Sequence, residues 1–483
     1  MRGGGGRGRL LFNSIDFAIF FPLVYLVYWQ LGRRGQNLWL LAASYLFYAW
    51  WDWRFLGLIV FSSAVDFAVG LRLGASDDER QRKRLLAVSL VANLGLLGFF
   101  KYFNFFVDSA ADALRLLGLD PSLRTLSIVL PVGISFYTFQ TLSYTIDLYR
   151  RRIEAERDVV VFFTFVAFFP QLVAGPIERA GHLLGQFARD RRFDRKAAPL
   201  ACGQILWGMF KKVVVADTLA AYVDAAYGNP GASGTDLALA TVFFAFQIYC
   251  DFSGYSDIAI GCARLFGIDL MRNFAYPYFS RDIAEFWRRW HISLSTWFRD
   301  YVFIPLGGSR VGAWKLLRNA LATFVLSGFW HGANLTFIAW GFLHAVYYAA
   351  AHRFVPKRKS VEVPGGPGRL PGLRALAQMA VTFVFVCFAW IFFRADSLAH
   401  AFAVIGAIAT DTDWVAFCVE GSAKPRLLIA LLIALEWWQR DCAHPFEALR
   451  ARPRLERGLA YALLLGLLFL GGAANAPFVY FQF

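Results

Sequence analysis

Apolar runs long enough to enter a bilayer, separated by short arginine-rich stretches, recur along the whole chain. A membrane-crossing helix needs about 20 mostly apolar residues to match a hydrocarbon layer of ~30 Å. Runs of this kind begin near Leu10, Leu38, Phe55, Leu85, Leu126, Val159, Leu200, Leu237, Arg318, Ala375, Ala401, Leu427 and Gly458. Some are too short or too interrupted to cross. The pattern predicts an all-α polytopic membrane protein with about 10–12 crossings, plus helices that enter and leave on one side. The run over residues 10–31 resembles a signal peptide but is long, and no small-residue cleavage site closes it, so it reads as a first span. Residues 1–9, "MRGGGGRGR", read as a flexible leader. Residues 10–483 read as a single membrane domain.

The polar interruptions suggest an orientation. Residues 72–84, 150–157, 189–196, 353–374 and 440–457 are rich in Lys and Arg, which places them in the cytoplasm by the positive-inside rule. Only one apolar run, 159–173, separates the basic loop 150–157 from the basic loop 189–196, so with both loops in the cytoplasm it cannot cross once. It leads into "FFPQLVAGPIERAGH", where Pro170, Gly175 and Pro176 break a helix. A re-entrant hairpin resolves the conflict. Within 353–374, the segment "VEVPGGPGRLPG" reads as a flexible cytoplasmic loop.

Composition agrees with this picture. Apolar residues make up 58% of the chain, above the 45–50% or so of soluble domains, and the mean hydropathy is +0.47. The 50 Phe and an aromatic share of 18% suit lipid contact and interfacial belts. The net charge of +15 follows from the basic loops, so it argues for no nucleic acid partner. The six cysteines, Cys202, Cys250, Cys262, Cys387, Cys418 and Cys442, show no C-x-x-C spacing. They read as small buried hydrophobes and not as a zinc site or disulfide frame.

The character of the chain changes from Phe246. Asp251, Ser253, Ser256 and Asp257 interrupt an apolar run. A carboxylate at mid-membrane costs roughly 2.5–3.5 kcal/mol on insertion scales, so Asp251 has to face protein or water. A structural hydrogen-bond network and a tunnel lining both fit. Next comes "FWRRWHISLSTWFRDYVFIPLGG", in which Arg288, Arg289, Arg299 and Asp300 alternate with Trp287, Trp290, Trp297 and Phe298. It is too charged to span. Amphipathic interfacial helices are expected, with rings at headgroup depth and arginines toward water. They would serve as an anchor, as a basic mouth for an anionic donor or lipid headgroup, or as both.

Two histidines stand out. His291 lies in the interfacial stretch, where a structural role is at least as natural as a chemical one. His331, in "GFWHGANLTF", has no charged neighbour between Arg318 and Arg353. Intramembrane ionisable residues are functional candidates by default. Metal binding would need more ligands, and no H-x-x-x-H or nearby Cys supplies them. A general base is the simpler reading, since an imidazole near pKa ~6.5 accepts a proton close to neutrality. A proton-relay or transport role and a structural role stay open on these residues alone.

"FWRRWHISLSTWFRDYVFIPLGG" followed by "GFWHGANLTF" resembles the membrane-bound O-acyltransferase family, most closely its bacterial branch of alginate O-acetyltransferase type. "LLFNSIDFAIFFPLVYLVYW", "PVGISFYTFQTLSYTIDLYR", "FPQLVAGPIER", "YCDFSGYSDIAIG" and the closing "FVYFQF" add to the resemblance, which covers nearly the whole chain from about Leu10. It implies a ring of tilted helices around a thin core crossed by a tunnel. It implies that His331 is the catalytic residue and His291 the family's second histidine. Trp330, Asp251, Ser253, Arg288, Arg289 and Trp290 are candidates to line the tunnel or donor path. The implied donor is a cytoplasmic acyl thioester, acetyl-CoA or an acyl-carrier thioester, with no bound cofactor and no metal. The implied acceptor is a hydroxyl of a cell-surface polysaccharide, or a periplasmic or secreted acetyltransferase partner. The implied setting is the bacterial inner membrane. The rival readings are a transporter or channel, and a family member acting on a lipid or protein acceptor.

Overall fold

The structure is a computed structural model and describes residues 10–119, 125–173, 175–356, 358, 370–411, 422–442, 447–450, 453–471 and 478. The leader 1–9, residues 357 and 359–369 of the flexible loop, Cys418, parts of the 440–457 loop and residues 479–483 of the closing motif lie outside the described residues. Every regular element among the described residues is helical. The chain divides into two compact units, residues 1–202 with 258–271 and residues 203–257 with 272–483.

The first unit contains α1 (Ile15–Tyr28), α2 (Arg33–Asp52), α3 (Leu56–Ala75), α4 (Glu79–Leu97), α5 (Phe103–Leu116), α6 (Ile134–Tyr149), α7 (Val159–Ala167), α8 (Phe169–Leu172) and α9 (Ala180–Phe187). α10 (Ala198–Met209) runs past its boundary. Rings hold the unit's centre: Phe169 packs against Phe17, Phe20, Phe47 and Phe266 at centroid distances of 5.4–6.4 Å. A polar seam joins α3, α4 and α6. There Asp66 accepts from Ser89 (2.6 Å) and Asn93 (2.8 Å), and Ser89 meets Thr145 at 3.0 Å.

Outward faces carry what a soluble surface would hide. Ile15, Ile19, Leu23 and Leu26 of α1 are 58–81% exposed and recur at helical spacing, which makes a continuous apolar stripe suited to lipid. Four helical stretches, Arg33–Ala75, Glu79–Leu116, Gly234–Leu265 and Leu373–Arg394, are long and apolar enough to cross a membrane. Other runs that the hydropathy pattern marked as candidates form shorter helices. The run from Leu10 yields only the 14 residues of α1. The run from Leu126 does not begin as a helix. Pro131 donates no N–H, Gly133 is left-handed (φ +76°) and α6 starts at Ile134. The parity conflict over 159–173 has a physical counterpart. α7 is nine residues, about 14 Å at a rise of 1.5 Å per residue, and it ends at Phe168 just before Pro170, so it does not cross as one helix.

The second unit holds α11 (Asp217–Tyr227), most of α12 (Gly234–Leu265), α13 (Ile283–Arg289), α14 (Ile292–Phe298), α15 (Ala313–His331), α16 (Leu335–Phe354), α17 (Leu373–Arg394), α18 (Leu398–Thr410), α19 (Ala423–Gln439), α20 (Glu447–Arg450) and α21 (Arg454–Gly471). One-turn π-helices, Phe210–Ala216 and Arg299–Phe303, follow α10 and α14. Not every cysteine is a core residue. Cys250, Cys262 and Cys387 are buried, Cys442 is half-buried and Cys202 is exposed. Cys202 sits on the outer face of α10, where an apolar thiol needs no core to be tolerated.

Candidate functional site

α15 and α16 form a helical hairpin that ends α15 on His331. Glycines set how close the two helices come. A Cβ on Gly328 would lie 2.1 Å from the Phe337 carbonyl oxygen, and one on Gly341 would lie 2.3 Å from that of Phe324. Small residues let membrane helices touch backbone to backbone. The turn is three residues long. Gly332 leaves room for the Phe337 ring, which would sit 2.1 Å from any Cβ there. Asn334 caps α16 by accepting from the Thr336 amide at 3.0 Å. The apolar run around His331 therefore carries the imidazole to the tip of a rigid pin.

His331 is 5% exposed. Its ring meets Trp330 at 5.0 Å, Trp340 at 5.3 Å and Phe393 at 5.3 Å between centroids, at 71–86° between planes. These edge-on contacts fix the imidazole between α15, α16 and α17.

His291 is not the wet interfacial residue that its neighbours suggested. It is fully buried, because the residues around it turn inward between α13 and α14. Its backbone is left-handed (φ 42°, ψ 56°), an uncommon conformation outside glycine. Nδ1 lies 3.1 Å from Asn273 Oδ1. The ring sits edge-on to Phe252 at 4.6 Å and 6.3 Å from the Trp330 ring. Burial pushes its imidazole down to about 3, so the ring is neutral at physiological pH. Trp330 thus lies near two histidine rings, 5.0 Å from that of His331 and 6.3 Å from that of His291.

Arg289 also departs from the expectation of arginines turned to water. It is 1% exposed and donates to Glu285 (2.7 Å) and to the Ala275 carbonyl (3.0 Å). One turn of α13 brings Glu285 under it, and the paired charges tolerate burial that neither would alone. Arg288 stays exposed. Trp290 is buried against Phe286, Phe274 and Trp390 at 5.1–5.5 Å.

Two cavities flank the hairpin. The first, about 460 Å³, is lined by Trp287, Arg288, Ser295, Arg299, Phe324 and Ser327 among others. Ser327 stands one turn before His331. The second, about 370 Å³, is lined by Gly332, Ala333, Asn334, Phe393, Arg394 and Asp396 among others. It begins at the residue after His331 and shares Phe393 with the imidazole. Arg394 pairs with Asp224 at 2.8 Å within its lining.

Asp251 and Ser253 line neither cavity. They belong to a buried ion cluster. Lys212 bridges Asp217 and Asp251 at 2.7 Å each, and Lys211 reaches Asp257 at 2.5 Å and Ser253 at 2.8 Å. This favours the structural-network reading of Asp251. Lys211 and Lys212 went unremarked in the sequence although "WGMFKKVVVAD" puts two charges inside an apolar run. His344 was missed as well. It is fully buried on α16, its Nδ1 accepts from Trp287 Nε1 at 3.3 Å, and its ring is 4.8 Å from that of Trp340. The signal was its spacing from Trp340, one helical turn.

Residues 156–357, which include both histidines and the hairpin, match the membrane-bound O-acyltransferase family. The chain is 36% identical to the probable alginate O-acetylase of Pseudomonas putida, over 98% of this chain and 100% of the relative. It is 32% identical to the peptidoglycan O-acetyltransferase of Helicobacter pylori, over 98% of each. It is 28% identical to the teichoic acid D-alanyltransferase of Bacillus subtilis, over 56% of this chain and 70% of the relative.

Proposed function

This chain belongs to the membrane-bound O-acyltransferase family and is an O-acyltransferase of a multi-pass membrane type, and from that premise we propose that it moves an acetyl group from a cytoplasmic thioester to a hydroxyl of a cell-surface polysaccharide or of a periplasmic acyl-carrying partner. The observation that carries this reading is the place of His331. It ends α15 with a cavity one turn behind it and another beginning at the next residue.

The first cavity suits the donor. Arg288 and Arg299 at its lining offer cations to the phosphates of acetyl-CoA or of an acyl-carrier arm, and the aromatic and hydroxyl groups deeper in accept the thioester end. The second cavity suits the acceptor. Its polar lining of Asn334, Arg394 and Asp396 matches a hydroxyl-bearing group better than an acyl chain. The relatives act, by name, on alginate, peptidoglycan and teichoic acid, and all three are polymers beyond the cytoplasm. The inner membrane follows as the setting.

In this reading the His331 imidazole takes the proton of the attacking hydroxyl. The hydroxyl oxygen bonds to the thioester carbonyl carbon, the carbon–sulfur bond breaks, and the proton passes to the departing thiolate. The dry aromatic frame strengthens each oriented dipole near the reacting carbonyl. The basic stretch 281–310 faces the cytoplasm, as its five arginines against three acidic residues favour.

The test uses purified full-length protein in detergent with labelled acetyl-CoA. His331→Ala should lower acetyl transfer by about 10²–10⁴-fold while the variant still purifies as one monodisperse species. Near wild-type acetylation of surface glycan by that variant would overturn the assignment. For sidedness, Ser309→Cys in a chain lacking its native cysteines should resist an impermeant thiol reagent until cells are permeabilised. Labelling from outside reverses the direction of transfer.

A further inference from the structure

We infer that Asn273 is a positioning residue that fixes the tautomer and orientation of His291, so that Nδ1 carries the hydrogen and Nε2 is the basic nitrogen. The inference rests on the acyltransferase reading for its catalytic consequence, but its geometry stands alone.

The orientation of the Asn273 amide follows from its neighbours. The backbone N–H of Ser293 lies 3.3 Å from Oδ1. An N–H can only donate, so the atom facing it has to be the carbonyl oxygen and not the amide nitrogen. The other end agrees: Nδ2 donates to Ser256 Oγ at 3.1 Å on α12. With the amide so oriented, Oδ1 faces His291 Nδ1 at 3.1 Å. Oδ1 has only lone pairs to offer, so Nδ1 has to bear the hydrogen. Ser293 Oγ does not reverse this. It is 2.9 Å from Oδ1 and 3.4 Å from Nδ1, and donating to the nearer carbonyl leaves its own lone pairs toward Nδ1–H. In a neutral ring, Nε2 then holds the lone pair.

Asn273 also holds the backbone that carries the ring. Its carbonyl accepts from the Ile292 amide at 2.8 Å, and its side chain accepts from the next amide. Between them they clasp the two residues after a left-handed histidine. Such a conformation costs roughly 1–3 kcal/mol and persists only where its surroundings dictate it. One residue therefore supplies both the clasp and the proton acceptor, and the link through Ser256 ties it to α12. The sequence could not show this, because the partners are 17 to 20 residues apart and sit on different elements.

The test has a spectroscopic and a kinetic arm, both on the full-length protein. Histidine labelled with ¹⁵N, with the His291 signals assigned by their loss in His291→Gln, should show a protonated Nδ1 and an unprotonated Nε2. Asn273→Ala should mix or reverse the tautomers. A wild-type ring protonated on Nε2, or a tautomer unchanged in Asn273→Ala, overturns the inference. In the kinetic arm, Asn273→Ala should lower kcat by up to about 10²-fold, the cost of a displacement near 1 Å in an active site, with KM for acetyl-CoA little changed. Asn273→Asp keeps an acceptor oxygen toward Nδ1 and adds a negative charge that favours the imidazolium. It should recover part of the rate and move the acid limb of the kcat–pH profile to higher pH. A purely structural role leaves that limb in place, and an unmoved limb overturns the inference. If Asn273→Ala fails to purify, the wild-type tautomer decides the spectroscopic arm and Asn273→Asp the kinetic one. If the wild-type protein transfers no acetyl group, the acyltransferase reading fails while the tautomer measurement still decides the role of Asn273.

Discussion

Gly328 on α15 faces the Phe337 carbonyl on α16 so closely that a single added carbon would sit 2.1 Å from that oxygen. No rotamer relieves that contact, because the obstacle is backbone. Gly328→Ala should therefore force the hairpin apart at the turn before His331. Overpacking of this kind costs about 1–3 kcal/mol, and a displacement near 1 Å at a reacting group costs about 10²-fold in rate. Thermal unfolding in detergent with acetyl-transfer assays on the same preparation measures both. Wild-type activity in Gly328→Ala would show that the hairpin does not set the imidazole's position.

Lys212 sits between two buried carboxylates, Asp217 and Asp251. Lys212→Met removes the cation and leaves both acids facing each other. Breaking a buried pair in this way costs about 3–5 kcal/mol. The midpoint of thermal unfolding should fall far more than for Lys315→Met on the exposed start of α15, and Lys212→Arg should restore most of the loss. Equal effects at the two lysines would mean that the cluster is not stabilising.

The buried His291 gives stability a pH dependence of known sign. Burial holds its imidazole down to about 3 in the folded chain, against roughly 6.5 when unfolded. The unfolded chain binds that proton first. The contribution of the neutral ring is complete above pH ~6.5 and is lost as pH falls from there toward 3, by up to about 1.4 kcal/mol per pH unit. His291→Asn keeps a side chain that tolerates the left-handed backbone and removes the titration. The stability advantage of wild type over this variant should shrink between pH 7 and pH 5 in a series of unfolding curves. Parallel curves would contradict the buried neutral ring.

Arg288 tests the donor cavity. Arg288→Gln should raise KM for acetyl-CoA about tenfold, the worth of one charge-assisted hydrogen bond at ~1.5 kcal/mol. The kcat should stay near wild type, and added salt should narrow the difference. A loss confined to kcat would move the donor elsewhere.

His331 could be read from the sequence as a candidate because an ionisable ring amid apolar residues stands out whatever surrounds it. The broken run 159–173 could also be read, since its prolines and glycine mark the break locally. Pairings across distance could not. Lys212 meets Asp251 from 39 residues away, and Asn273 meets His291 across a stretch that holds α13, with no periodicity to mark the pairing. The amphipathic pattern of charges and rings points Arg289 toward water, yet Glu285 neutralises it from one turn below and the side chain is buried. His344 stayed hidden because one histidine on an apolar helix looks like core until its ring is seen against Trp287 and Trp340.

The ion cluster has a consequence for how the protein is made. The π-helix after α10 carries Lys211 and Lys212, and α12 carries Asp251 and Asp257. Gly254 of α12 lies close enough to the Gly208 carbonyl that a Cβ would be 2.7 Å from it, so the two segments meet intimately. Delivered singly into lipid, each segment would lack the partners it has in the fold, Lys211 without Asp257 and Asp251 without Lys212, at roughly 2.5–3.5 kcal/mol per uncompensated charge. Delivered as a pair, they cancel. The two segments therefore have more to gain from entering the membrane together than from entering it one at a time.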